Sequence, residues 1–329
     1  MPSSSIGRCV IASVGNNPFE VELLTTQFTT ALELLLQLKV SKLRGRINSG
    51  THVGKQASPV QQIGVLEYRQ TAGRYSPIVF QYPNYTRRWV FPNDRDLAVP
   101  VDTFDELRTI VDPKGGISMA ASAAGNRFFD DLIIAAFFGA ASTGVDASNL
   151  TTESFTGLGA DTSGTMLVGS AFGAASSTGM TYPKIVEAYR LLEHYMALED
   201  GERPTAVFGS QQKADMKKQV EFINRDYSDG MVVTEGEITR AGGCDIVISE
   251  RLSSSINGAN IRACPIFVKS GMYLGLWKDM TTRVDTRIDL TSQPWQLYSM
   301  ISAGATRLQL QKVICVNAAD TTGADPTAP

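Results

Sequence analysis

A nearly uninterrupted apolar run occupies residues 132–141, and Phe128 and Phe129 come shortly before it. The run has roughly half of the ~20 residues that a membrane crossing needs, which argues against a membrane span. Its apolar side chains would cover most of the circumference of a helix, and a helix of that kind packs on several sides at once. The pattern therefore predicts a buried helix.

Two adjacent carboxylates, Asp130 and Asp131, come just before this run. Adjacent side chains on a helix project about 100° apart, so the two are poorly placed to bind one metal ion. Arg127 lies three and four positions before them and shares a face with both. We predict ion pairs between Arg127 and the two carboxylates, on the one polar stripe of the helix.

The same helix has a clear start in Asp112 and Pro113, because Asp caps helices and Pro is favoured at the first helical position. It should run to about residue 141, although Gly125 weakens the case for an unbroken helix. A second, amphipathic helix is predicted for residues 183–200. Further elements are expected in this order: a strand at 205–209, a helix from Ser210, a strand at 244–249, and long strands in the C-terminal third.

Residues 50–100 have a different pattern, with short extended pieces of aromatic and β-branched residues between many turn-forming ones. Five prolines are spread through this segment, namely Pro59, Pro77, Pro83, Pro92 and Pro100. Proline lacks the backbone N–H that a central strand donates, so the segment suits edge strands or an open hairpin.

Length and charge narrow the class of protein. A chain of 329 residues is long enough for two lobes. Its formal net charge of −3 argues against a protein whose main function is to bind nucleic acid. Residues 39–55 are nevertheless locally basic. They could contact nucleic acid, but they lack the interleaved aromatic residues that stack on bases, and the acidic surface of a partner subunit is an equally good match.

The chain begins MPSSSIGR, which lacks the charged and apolar regions of a signal peptide. Its four cysteines are Cys9, Cys244, Cys264 and Cys315. They lie far apart and form no C-x-x-C spacing, so we expect reduced, buried thiols in a reducing compartment.

Candidate chemistry is sparse. With only two histidines, His52 and His194, a histidine-based triad or a multi-histidine metal site is nearly excluded. The glycine-rich segments 139–145 and 159–165 keep the glycine spacing of a phosphate-binding loop but lack its lysine. The sequence therefore predicts no metal or cofactor site and favours a structural protein over an enzyme.

Three blocks of sequence, in this order, resemble the major capsid proteins of tailed bacteriophages. The first is residues 87–144, the second is the helix at 183–200 with the strand and helix that follow it, and the third is residues 244–316 with its Gly304-Ala305-x-Arg307 element. These capsid proteins have the Johnson fold, which they share with herpesvirus capsid proteins and encapsulins.

The resemblance implies an α+β fold with an N-terminal arm, an extended E-loop hairpin, a long spine helix beside a P-domain sheet, and an α/β A-domain. The expected segments are the arm at 1–49, the E-loop at 50–98, the P-domain with the spine helix at 99–150, the A-domain at 151–263, the closing P-domain strands at 264–318 and a tail at 319–329.

The function that the resemblance implies is a shell subunit forming hexamers and pentamers around double-stranded DNA, without catalysis. Expected partners are copies of itself, a portal protein and, where they exist, separate scaffolding and decoration proteins, with weak non-specific DNA contact and no membrane. The subunit would belong to the virion capsid and assemble in the host cytoplasm. An encapsulin-type compartment is the alternative with the same fold, and an α/β enzyme of unidentified substrate is the alternative of another class.

Seven side chains are then candidates for contacts between subunits: Arg44, Arg46, Arg69, Arg74, Arg87, Arg88 and Trp89. We expect the E-loop to lie across an adjacent subunit, because a free loop of this length rarely persists inside a compact domain without a functional reason. Its aromatic residues would cover that subunit and its arginines would meet carboxylates there.

Overall fold

A computed structural model describes residues 40–320, apart from residues 65, 71–72, 76, 103–112, 146–148, 156–165, 200, 220–232, 235–236, 253–259 and 292. The predicted arm at 1–39, the Asp112 cap and the tail at 321–329 lie outside the described residues.

The described chain contains three α-helices, α1 (Pro113–Phe138), α2 (Tyr182–His194) and α3 (Ser210–Lys217). Its strands in chain order are β1 (Asn48–Thr51), β2 (Ala57–Ile63), β3 (Tyr85–Val90), β4 (Asn93–Val101), β5 (Ala141–Thr143), β6 (Thr151–Glu153), β7 (Leu167–Val168), β8 (Thr205–Phe208), β9 (Val233–Thr234), β10 (Glu237–Ile238), β11 (Arg240–Ala241), β12 (Cys244–Ile248), β13 (Ile261–Phe267), β14 (Met272–Thr286), β15 (Trp295–Arg307) and β16 (Val313–Ala319).

The long helix α1 begins at Pro113, as predicted, and continues unbroken through Gly125. It packs against a sheet of order β1-β14-β15-β4, whose two central strands are the longest in the described chain. The glycine serves this packing, because a Cβ at Gly125 would lie only 2.7 Å from Met280 Sδ. One face of its second half is buried, where Phe129, Ile133 and Phe137 are almost completely inaccessible to solvent.

A second sheet, of order β11-β12-β8-β13-β16-β7, forms the other layer of the core. Helix α2 packs on β16 and β7, and its buried side chains include Ile185 and Leu192. The two layers join where the ring of Phe137 at the end of α1 meets the ring of Phe267 on β13, with centroids 4.7 Å apart. The hydrophobic core is therefore continuous from the long helix to this sheet.

A third sheet has the order β2-β3-β5-β6 and carries the proline-rich hairpin. Pro59 lies at an irregularity in the pairing of β2, which is an edge strand, and Pro100 lies in β4, also an edge strand. The prediction that these prolines occupy edge positions is confirmed.

The strands are distributed differently from the expected segments. The predicted loop at 50–98 contains the first part of β4, a strand that pairs along nine residues with β15 in the long-strand sheet. The expected closing strands at 264–318 also separate, because β13 and β16 pair with each other and join the sheet that contains β8. The boundaries at 98/99 and 263/264 therefore cut through strands that belong to single sheets.

Helix α2 ends at His194 rather than at the predicted residue 200. The chain leaves the helix through Tyr195 and then Met196, whose φ of 51° is left-handed. The apolar period continues past this point in sequence, with Ala197 buried, so periodicity alone placed the end too late.

The thiols of Cys244, Cys264 and Cys315 are free and buried. Burial raises the pKa of Cys244 and of Cys264 to about 12 and raises that of Cys315 well above its ordinary value. Because the thiolate is the reactive form, these three groups are unreactive near neutral pH.

We expect a Cys9→Ser chain to resist a thiol-specific reagent at pH 8 while folded and to react fully after denaturation. The remaining thiols are Cys244, Cys264 and Cys315, so the absorbance of the released chromophore reports on them alone. Rapid labelling of the folded chain would show that at least one of them is accessible.

Candidate functional site

The tip of the β2–β3 hairpin is an exposed apolar loop, here called the tip loop and comprising residues 64–84. All described residues from 66 to 82 are exposed. Ile78, Phe80 and Tyr82 expose 83%, 74% and 88% of their surface, and Tyr68 and Tyr75 are fully exposed. Contiguous apolar surface of this kind on a soluble subunit marks an interaction surface.

Polar contacts hold the root of this hairpin on the body of the subunit. The side-chain amide of Gln62 and the Nε of Arg88 both donate to the carbonyl oxygen of Leu308, at 2.8 and 2.7 Å. At the next residue of β3, Trp89 Nε1 donates to the carbonyl oxygen of Gly144 at 3.0 Å. The direction in which the tip loop leaves the subunit is therefore fixed by its root.

A buried charge cluster lies at the same place. Arg88 forms an ion pair with Glu153 at the end of β6, and Arg307 at the end of β15 donates to the carbonyl oxygens of Phe137 and Gly139, at 2.6 and 3.1 Å. These carbonyls end α1, so a cation there also meets the negative end of the helix dipole. Burial lowers the pKa of Arg307 to about 10; Glu153 opposes this effect and Arg88 adds to it.

The cluster gives a role to the Gly304-Ala305-x-Arg307 element. A Cβ at Gly304 would collide with the carbonyl oxygen of Phe91, so β15 can approach the corner between β3 and β4 only with glycine there. Three residues later Arg307, almost fully buried, reaches the end of α1. The element therefore combines the close approach of β15 at Gly304 with a cation at the end of α1, supplied by Arg307. The element was recognisable in the sequence, but the residues that it contacts were not.

Arg88, a predicted contact with a neighbouring subunit, is bound within its own chain, and that contact stays a prediction. Its side chain is only 6% exposed and is engaged by Glu153 and Leu308 of its own chain. The residue lies on β3, which pairs on both sides, and its side chain points into the subunit. At this position, the basic residue of the hairpin therefore belongs to a charge cluster inside the subunit.

The other candidates are placed in two groups. Arg44 pairs with Asp279 and lies over the ring of Phe129, Arg46 lies 3.5 Å from Asp245, and Arg87 Nη1 donates to Val145 at 3.4 Å. Arg69 and Arg74 are exposed on the tip loop and have no ion pair with any residue that the structure describes. Contact of these five arginines and of Trp89 with a neighbour stays a prediction.

Asp130 and Asp131 are bound from outside their own helix. Asp130 is fully buried and accepts hydrogen bonds from Ser41 Oγ at 2.6 Å and from the backbone N–H groups of Lys42 and Leu43 at 3.2 Å. Asp131 forms an ion pair with Arg251. The expected pairing of both with Arg127 remains a prediction, and the partners found here could not be inferred from helical spacing.

A groove of about 540 Å³ runs between α1 and the edge strand β4. Apolar side chains line part of it, among them Leu97, Phe128, Leu132 and Ile301. Charged residues stand along it, including Arg95, Arg127 and the Asp131–Arg251 pair. The sequence did not indicate this groove, because its two walls lie in segments that only the fold brings together.

A further ionic network joins the six-stranded sheet to α3. Arg262 donates to Glu250 at 2.9 Å and to Asp320 at 2.9 Å. Burial acts to raise the pKa of Glu250, but hydrogen bonds from Ser210 and Arg262 outweigh it and bring that pKa to about 2. The network is structural, since each charged group in it is matched by a partner.

Among the described residues, no group of His, Cys, Asp and Glu could hold a metal ion. Of the helices that the structure describes, none has the length and apolar character to cross a membrane. The features that stand out are a projecting apolar loop, its anchored root and an open groove, and these define a subunit built to associate with other protein surfaces.

The protein family to which the chain belongs supports the interpretation that it is an associating subunit. The family model described as phage capsid protein matches residues 22–319, and the chain belongs to that family. No curated protein sequence matches the chain. Its role is therefore structural, within a phage capsid.

Solved capsid structures share the fold at low sequence identity. The capsid of the cyanophage P-SCSP1u is similar with a TM-score of 0.69 and 16% identity, over 91% of this chain and 94% of that one. The capsid of cyanophage Pam1 follows at 0.67 and 12%, over 94% and 99%. The capsid of a native GTA particle matches at 0.63 and 13%, over 91% and 96%. The expected Johnson-type capsid fold is thereby confirmed.

Proposed function

We propose that the chain is the major capsid protein of a tailed phage and that it assembles into the hexamers and pentamers of an icosahedral shell around double-stranded DNA. The observation that carries the proposal is the tip loop, whose apolar side chains lie in solvent although its root is rigidly held. A single subunit gains nothing from such a loop. A closed assembly supplies the surface that covers it.

We further propose that the groove beside α1 receives the tip loop of a second copy. Residues 77–82 of the loop are mostly apolar, and apolar side chains line much of the groove. The groove is bordered by β4, an edge strand whose outer backbone groups can pair with an added extended segment. Charges on its walls can meet Arg74 and the other polar residues of the loop.

The test places a large side chain in the groove. Ala135 is an exposed residue of α1 that lines the groove, whereas Met119 is exposed on the same helix outside it. We expect the unaltered chain and Met119→Trp to form shells by electron microscopy, and Ala135→Trp to remain as dissociated but folded subunits. Normal shells from Ala135→Trp would exclude the groove as the receiving surface.

Contacts with a portal, with scaffolding or decoration proteins and with packaged DNA, and assembly in the host cytoplasm, belong to the same proposal. The mildly acidic chain, with its net charge of −3, supports only weak, non-specific DNA contact. Shells that form from the purified chain alone would show that the capsid surface is sufficient for assembly.

A further inference from the structure

Helix α2 buries a lysine on its apolar face. Lys184 is completely inaccessible to solvent and lies among Ile185, Ala188 and Leu191, which are buried on the same helix. A lysine is almost never fully buried unless its charge is compensated. The surrounding protein must therefore supply the hydrogen-bond acceptors that water provides to a lysine at the surface.

The ammonium group is surrounded by backbone carbonyl oxygens. Nζ lies 2.8 Å from Ser170 O, 3.0 Å from Thr178 O, 2.9 Å from Gly179 O and 3.2 Å from Asn317 O. An ammonium has three N–H donors, so four oxygens at these distances must share them. Carbonyl oxygens converging on one point are the arrangement by which proteins hold a dehydrated monovalent cation.

The four oxygens come from separate parts of the chain. Three belong to the loop between β7 and α2, and the fourth belongs to β16, 133 positions beyond Lys184. The loop is also tied to itself and to the strand by backbone bonds, from Thr178 N to Ser170 O at 3.0 Å and from Ala319 N to Thr178 O at 2.9 Å. These bonds hold the carbonyl dipoles together with their negative ends facing one another.

We infer that Lys184 acts as a built-in monovalent cation, whose ammonium occupies a carbonyl cage and thereby fixes the loop of residues 169–181 against β16. Without a cation the converging dipoles repel and lose the ammonium donor that they share, so the loop leaves the strand. With the side chain removed, the cage becomes a binding site for a small alkylammonium ion. This inference is independent of the proposed role in a shell.

The experiment is chemical rescue in the full-length chain. Lys184→Ala removes Cγ, Cδ, Cε and Nζ, and n-propylammonium contains the same three carbons and one ammonium. We expect Lys184→Ala to lower the melting temperature by at least about 5 °C. Millimolar propylammonium chloride should restore half of that loss or more, whereas equal concentrations of n-propanol, sodium chloride or tetramethylammonium chloride should not.

A matched control is Arg190→Ala, which removes an exposed cation of the same helix and its pair with Glu187. Its melting temperature should change little and should not respond to propylammonium. Equal rescue of Lys184→Ala by n-propanol would overturn the inference, because the side chain would then only fill space. Lys184→Met with unaltered stability would overturn it as well, since no cation would be needed.

Should Lys184→Ala yield no soluble protein, the same comparison is made on the fraction recovered by refolding from denaturant. A higher yield with propylammonium than with n-propanol supports the caged cation. Equal yields contradict it.

Discussion

Replacing residues 65–83 by Asn-Gly is expected to give a folded subunit that forms no shells. Gly64 N donates to Asn84 O at 2.7 Å, so the two strands already approach closely enough for a two-residue turn. None of the described residues of the tip loop belongs to the hydrophobic core, so the folded state should remain intact. Each apolar side chain that the loop would bury against a neighbour contributes about 1.5–3 kcal/mol, and this contribution is lost at every contact of the shell.

Circular dichroism and thermal unfolding should be unchanged in this variant, while sedimentation and electron microscopy should show no particles. A second variant, Ile78→Ser with Val79→Ser and Phe80→Ser, keeps the length of the loop and removes its apolar surface. Glu193→Gln, at an exposed polar site of α2 outside the loop, serves as its control. Particles from the serine variant at the normal yield would show that apolar burial by the loop does not drive assembly.

The elements that the sequence predicted well are those whose signals are local. Pro113 marks the start of α1, and prolines at 59 and 100 mark edge strands, because the missing N–H acts at the residue itself. The burial of Phe129, Ile133 and Phe137 follows from a nearly all-round apolar helix. Local chemistry decides each of these features, so no knowledge of distant residues was needed.

The partners of buried charges could not be predicted in this way. Arg88 donates to Leu308, which is 220 positions away, and Asp130 accepts from residues 87 to 89 positions away. A basic residue in a hairpin and an acidic residue on a helix each have a plausible solvent-exposed role. Only the topology places these two side chains inside the subunit. It brings the chain after β15 against the hairpin, and residues 41–43 against the long helix.

The sheet that each C-terminal strand joins could not be predicted for a related reason. Strands β13 and β16 lie on either side of β14 and β15 in the chain, yet they pair with each other in a different sheet. Both pairs read as apolar extended segments, and strand periodicity does not encode which sheet a strand joins. The family resemblance predicted the overall fold, but the three blocks of sequence did not indicate that these four strands divide between two sheets.

The largest loss of stability is expected from Arg307→Met. This change removes a cation that is almost fully buried, together with its hydrogen bonds to Phe137 and Gly139 at the end of α1. Methionine fills much of the volume but leaves those carbonyls without their donor. Breaking a buried charged interaction of this kind costs about 3–5 kcal/mol. Urea unfolding of the full-length subunit should show a lower midpoint with an unchanged slope.

Two further variants separate the cap from the charge. Arg283→Met removes an arginine of β14 whose side chain is 68% exposed and should change stability by less than about 0.5 kcal/mol. Arg307→Lys keeps the charge but offers a point donor in place of a planar fork, so it should lose part of the stability.

We expect the cluster to link stability to assembly, because Arg88 and Arg307 hold the root of the tip loop and the end of α1 in one place. A Glu153→Gln subunit keeps both guanidinium groups buried but loses the carboxylate that Arg88 binds. We expect faster amide hydrogen exchange in β2 and β3 and a lower yield of shells, since the loop then leaves the subunit in more than one direction. Unchanged exchange in β2 and β3 together with a normal yield would mean that the backbone pairing of the hairpin orients the loop without the cluster.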